Sequence, residues 1–173
     1  MTDVPKIDSV PALLAHAQAM EQGAMERYRD LAGQMDVHNN ADVAGLFRKM
    51  AHIESLHLRK VIERASATTL PDIAPWDYGW TEPEAPEAVD VTDVHYLMTP
   101  HHALSSALGA ERRAFAFYSR LAEATDDEAI RALALELREE EREHVRLMEE
   151  WLARTPEPEE GWDDDPDPPT VQE

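Results

Sequence analysis

The chain of 173 residues contains no cysteine. That excludes a disulfide framework, a Cys-ligated zinc or iron–sulfur centre, a thiolate-bound haem and a cysteine nucleophile. Any metal must therefore be held by His and carboxylates. Positive charge is also scarce: 16 Lys and Arg stand against 36 Asp and Glu, a formal net charge of −20. Nucleic acids and anionic membrane surfaces are met by Lys/Arg footprints, and a field of this sign repels both. No apolar run approaches the roughly 20 residues of a membrane span, and the opening MTDVPKIDSV lacks the charged-then-apolar order of a secretory leader. No nucleic-acid or membrane partner is expected, and a cytoplasmic location is. With 43% hydrophobic residues, the chain has material for one sizeable core.

Glycine is sparse, at 6 residues, and Ala, Leu, Glu and Arg fill the periodic stretches, which favours helix over strand. Four long helices are expected. The first runs from about Ser9 to Met35 with Pro11 in its opening turn, and the second begins after Asn39 and Asn40 and fades after Ala65. Thr99 caps the third and Pro100 suits its first position; it ends near Ala124. The fourth opens at Asp126, Asp127 and Glu128, whose charges suit the positive end of the helix dipole, and closes before Pro156.

The segment at about 67–99 is rich in Pro and acids and has no helical period. A helix of about 27 residues is roughly 40 Å long, and an extended chain covers about 3.3 Å per residue. The segment can therefore run the length of a bundle, making helices two and three parallel while the short turns leave the other pairs antiparallel. The fold expected is an all-α four-helix bundle over residues 1–154 with one long crossover. Residues 155–173, with eight acids and no Lys or Arg, are expected to be a disordered acidic tail.

Helical spacing places one stripe on each helix: Leu14, Ala17, Glu21, Ala24, Tyr28, Leu31, Met35; Val43, Phe47, Met50, Glu54, His57, Val61; Leu104, Leu108, Glu111, Phe115, Tyr118, Leu121; and Ile130, Ala134, Leu137, Glu141, His144, Met148, Trp151. Each stripe is apolar except near its middle. Four carboxylates and two imidazoles thus point into one core. Ionised, the carboxylates would repel one another in a low dielectric at a cost of several kcal/mol each; an empty site must hold protons instead. Two divalent cations balance four carboxylates, and Glu-x-x-His puts a carboxylate and a nitrogen on one helix face for one ion. The chain also repeats itself. Glu21 with Tyr28 seven residues on, then Glu54-x-x-His57, recurs as Glu111 with Tyr118, then Glu141-x-x-His144, at Glu-to-Glu intervals of 33 and 30. Glu140 stands one turn from His144 and competes with Glu141.

This pattern resembles the ferritin-like di-iron carboxylate proteins, most closely the rubrerythrin-type branch. The resemblance implies two iron ions per chain, with Mn or Zn also suited to the donors, held by Glu21, Glu54, His57, Glu111, Glu141 and His144, and Tyr28 and Tyr118 beside the site. It implies an oxidoreductase that oxidises Fe(II) or reduces O2 or H2O2, supplied by an external electron donor and assembled as a homodimer or larger homo-oligomer. The rubredoxin module of rubrerythrin, whose iron is held by cysteines, has no counterpart, and Ala114 stands where that branch has an additional helix-three glutamate. The alternatives are a non-catalytic metal-binding or structural bundle and a di-iron oxygenase of an organic substrate. Among the remaining residues, Glu26, Glu136, Glu139 and Glu143 are expected to be solvated, His16, His52 and His102 to lie on helix surfaces or in caps, and Trp76 and Trp80 to pin the crossover.

Overall fold

The computed structural model describes residues 7–80 and 84–167. Its long elements are α1 (Val10–Val37), α2 (Ala41–Ala65), α3 (Pro100–Ala124) and α4 (Glu128–Arg154), with two short 3₁₀ turns at Pro75–Asp77 and Val91–Asp93; no strand occurs among the described residues. Each start has a side chain for its orphan amides. Ser9 Oγ accepts from Ala12 N at 3.3 Å, Asn40 Oδ1 from Val43 N at 3.4 Å, and Asp127 Oδ1 from Ala129 N at 2.8 Å. At α3 the capping runs backwards, as Thr99 N donates to His102 Nδ1 at 3.1 Å. The α1–α2 turn closes with Asn39 at φ 57°, a left-handed position that Asn tolerates better than most residues.

Short turns make antiparallel hairpins of α1–α2 and α3–α4, and the crossover sets how the hairpins meet. Its path is fixed by three ties, two on α1 and one at the α1–α2 turn. Gly79 N donates to His16 Nε2 at 3.2 Å, Arg27 Nη1 donates to Val89 O at 2.8 Å, and Asn40 Nδ2 donates to Met98 O at 2.8 Å. The segment thus travels from the beginning of α1 to the α1–α2 turn. Starting where α2 starts, α3 runs parallel to α2. This is the ferritin-like four-helix bundle with one crossover.

The core has two apolar compartments. One gathers Tyr28, Leu31, Met35, Phe47, Met50, Leu104 and Met148 at the α1–α2 turn end; the other gathers Leu13, Leu14, Met20, Val61, Phe117, Leu121, Ile130 and Leu137 at the opposite end. Between them lie the stripe glutamates, whose burial no apolar contact explains.

Several expectations need correction. Phe115 is half-buried, while Phe117 is fully enclosed. With Glu111, Ala114 and Tyr118 facing the core, position 115 falls on the flank, where the Arg142 guanidinium lies 5.8 Å from its ring. His16 is no surface residue: the crossover covers it to 4% exposure, Nδ1 donates to Ala12 O at 2.8 Å, and Nε2 accepts from Gly79. Trp80 pins the crossover, packing edge-on to Phe117 with ring centroids 5.6 Å apart, but the Pro75–Asp77 turn leaves Trp76 84% exposed. The acidic tail is not free throughout. Trp162 packs against the core and lies 3.9 Å from the His102 ring, because one aromatic ring offers apolar area that the surrounding acids do not. Residues 168–173 of the tail lie outside the described residues.

Candidate metal centre

The polar layer is built by the sequence repeat. Glu21, Glu54 and His57, from the first hairpin, bring ligand-capable atoms within 4.8 Å of one another, and so do Glu111, Glu141 and His144 from the second. Helical geometry explains each half: the i,i+3 spacing stacks Glu54 on His57 and Glu141 on His144, and the antiparallel neighbour adds one glutamate. His57 Nδ1 lies 3.4 Å from Glu54 Oε2 and 4.0 Å from Glu21 Oε2. His144 Nδ1 lies 3.2 Å from Glu111 Oε2 and 3.2 Å from Glu141 Oε2. The two imidazoles stack across the bundle, with centroids 3.9 Å apart and planes 15° from parallel. All six residues put forward from the sequence meet in one layer.

Glu140 points elsewhere, to Arg64, while Glu141 is 1% exposed. Neighbouring positions on one helix thus divide between an ion pair at the surface and the buried layer. Glu26, Glu136, Glu139 and Glu143 are exposed. Tyr28 and Tyr118 are both fully enclosed. Burial first, and then the charges of Glu111 and Glu54, raise the Tyr28 pKa well above its usual value; burial, then Glu141 and Glu21, do the same to Tyr118. Both phenols therefore stay protonated. The Tyr28 hydroxyl has no hydrogen-bond partner.

A seventh residue joins the layer from the crossover. Glu87 is 0% exposed, and its carboxylate lies within 4.8 Å of the ligand-capable atoms of Glu111, Glu141 and His144. Spacing could not find it. It sits in an aperiodic stretch with Glu84 and Asp90 close by, and only the tertiary path separates it from these two exposed acids.

Five buried carboxylates and two imidazoles crowd this layer, and without metal Glu21, Glu87, Glu111 and His144 favour their protonated forms. Burial lifts Glu111 to about 8, with Glu54 and Glu141 adding to the rise and the His144 hydrogen bond opposing it. Burial, then the charges of Glu141 and Glu54, hold Glu21 well above the carboxylate range; Glu87 is raised by burial, then by Glu21 and Glu54. Burial disfavours the charged form of His144, yet hydrogen bonds with Glu111 and Glu141 outweigh it and raise the imidazole to about 11. The donor set fits a divalent metal pair. Carboxylate oxygen and imidazole nitrogen suit Fe, Mn and Zn, and Glu21 Oε2 and both Glu87 oxygens are buried without a hydrogen-bond partner, a cost that coordination would remove.

A family model described as Rubrerythrin matches residues 12–98, a span that includes Glu21, Glu54 and His57. The chain belongs to the rubrerythrin family. It is also similar to an uncharacterized conserved protein from Magnetospirillum magnetotacticum MS-1, whose crystal structure was determined at 2.00 Å. The two are 39% identical, with a TM-score of 0.65, and the match covers 87% of this chain and 98% of that one. A search of curated proteins finds no match. Because the family model ends before α3, the second half of this rubrerythrin-family site rests on the helices themselves. No helix among the described residues is long and apolar enough to cross a membrane.

Proposed function

We propose that this chain is a di-iron oxidoreductase, oxidising Fe(II) or reducing O2 or H2O2. The observation that carries this reading is the closure of two separate Glu plus Glu-x-x-His sets into one buried layer, with carboxylate oxygens left unpartnered. Glu21, Glu54 and His57 would hold one iron, and Glu111, Glu141 and His144 the other. An iron pair supplies one electron per ion, which suits two-electron reduction of peroxide or stepwise reduction of O2.

This chain's residues do the rest. Glu111 and His144 release protons as cations enter, since their empty-site charge state depends on a proton that metal displaces. The apolar compartments on both sides exclude water, and low dielectric strengthens carboxylate–cation attraction. The glutamate side chains of the two halves are 2–4% exposed, against 12% for His57 and 11% for His144, so the histidine face is the shortest way in for ions and oxidant. With no Cys to hold a second iron centre, continued turnover draws electrons from an external donor. Tyr28 and Tyr118 are the nearby phenols available to act beside the site, and we further propose a homodimeric or larger assembly in the cytoplasm.

The test is stopped-flow oxidation of Fe(II) by O2 or H2O2 in the native protein, Glu54→Ala and His57→Ala. The expected result is rapid oxidation in the native protein and its loss in both variants at unchanged helical content. Metal uptake without any oxidation in the native protein would favour the non-catalytic bundle instead.

A further inference from the structure

We propose that Glu87 is a metal ligand delivered by the crossover, making the two halves of the site unequal and tying the crossover's position to metal loading. The proposal rests on the metal-site reading above and deepens it.

Three observations carry it. First, Glu87 is fully enclosed, and neither carboxylate oxygen has a hydrogen-bond partner. A buried carboxyl group without partners costs free energy in either charge state, and no hydrogen bond of the fold offsets that cost. Second, its carboxylate joins Glu111, Glu141 and His144 in one group whose ligand-capable atoms lie within 4.8 Å of one another. The second half then offers three carboxylates and one imidazole, against two and one. Third, the backbone around it is clamped. Arg113, on α3, donates from Nε to Pro86 O at 2.9 Å and from Nη2 to Ala88 O at 2.8 Å, bracketing Glu87. Arg27, on α1, donates to Val89 O and pairs with Glu84 at 2.9 Å.

Two arginines from opposite hairpins thus hold a loop whose central side chain enters the polar layer. A loop tied only for packing would bury an apolar residue there, as it does at Val89, which is 1% exposed. The additional negative donor makes the second half the tighter one for a divalent cation, so loading is stepwise. A cation on Glu87 in turn holds residues 84–90 against the bundle.

Anaerobic Co(II) titration tests this, read by calorimetry and visible absorption, with amide exchange over residues 84–90. The native chain should bind two Co(II) ions in two steps of unequal affinity and gain exchange protection there on loading. Glu87→Gln should weaken the tighter step at least about tenfold, change its absorption band and abolish the added protection, while Glu87→Asp should restore part of the affinity. Arg113→Ala, which leaves every donor in place, should weaken the same step by a smaller factor and raise exchange over 84–90. If Glu87→Gln and Arg113→Ala bind both ions as the native chain does, with protection still rising, the proposal is overturned and the metal-pair reading stands. A native chain that takes up no Co(II) overturns both.

Discussion

Metal removal should make stability depend on pH in a direction opposite to ordinary acid denaturation. In the empty site Glu111 keeps its proton to about 8, against a usual value of 4.5. A group whose folded pKa is raised contributes stability that is fully present below the unfolded value and is lost as pH rises through the folded one. For Glu111 that window runs from 4.5 to about 8. Inside it the folded state holds one proton more than the unfolded state, so stability falls by about 1.4 kcal/mol per pH unit. For a chain of this size that is about 3–6 °C in Tm per unit. Glu21 and Glu87, raised for the same reason, push in the same direction, as does His144 above its usual 6.5. His16 and His102, whose pKa values burial lowers, push the other way only below their usual 6.5.

Cations replace these protons, and ions present at about a hundredfold their Kd add about 2.7 kcal/mol per site, about 5–11 °C. Calorimetric melting at pH 5.5, 6.5 and 7.5, with and without Mn(II), should therefore show a metal-free Tm that falls with pH and a metal-induced rise that grows. Glu111→Gln should flatten the metal-free slope. A metal-free Tm that is level or increasing across this range would mean that the buried carboxyl groups are not the proton store described above.

Three further substitutions probe the frame around the site. Tyr28→Phe removes a buried hydroxyl without a partner and should stabilise the metal-free fold by up to about 1 kcal/mol; a drop in Tm would show that the hydroxyl has a partner after all. His16→Ala breaks the bonds to Ala12 O and Gly79 N and should cost about 1–3 kcal/mol while accelerating exchange of the Gly79 amide, so native-like exchange would contradict the tie. Trp162→Ala should lower Tm by about 2–4 °C, equivalent to about 1 kcal/mol, whereas an unchanged melt would mean the tail does not brace α3.

The helices are legible in the sequence because their signals are local. Pro100 after Thr99, Asp127 before Glu128 and the Asn39–Asn40 turn mark the ends directly, and a 3.6-residue period places Glu21, Glu54, Glu111 and Glu141 on inward faces. The repeat makes the six-residue cluster readable, since each hairpin supplies one matching set. Residues whose place depends on a long-range path are not readable. His16 is buried because the crossover lies over it, Trp162 because the tail turns back to α3, and Glu87 because Arg113 and Arg27 hold its loop. None of these follows from periodicity. Preferring Phe115 to Phe117 is a different error, a flank and a core position two residues apart on one helix that period alone separates weakly.

Whether this layer binds two irons and passes their electrons to an oxidant is decided by anaerobic titration of metal-free protein with Fe(II), with metal counting, followed by O2 or H2O2 and Mössbauer spectroscopy. Saturation at about two irons per chain and conversion of both to a coupled ferric pair are expected. Saturation at one iron or none, or two that stay ferrous with both oxidants, would rule the di-iron oxidoreductase out.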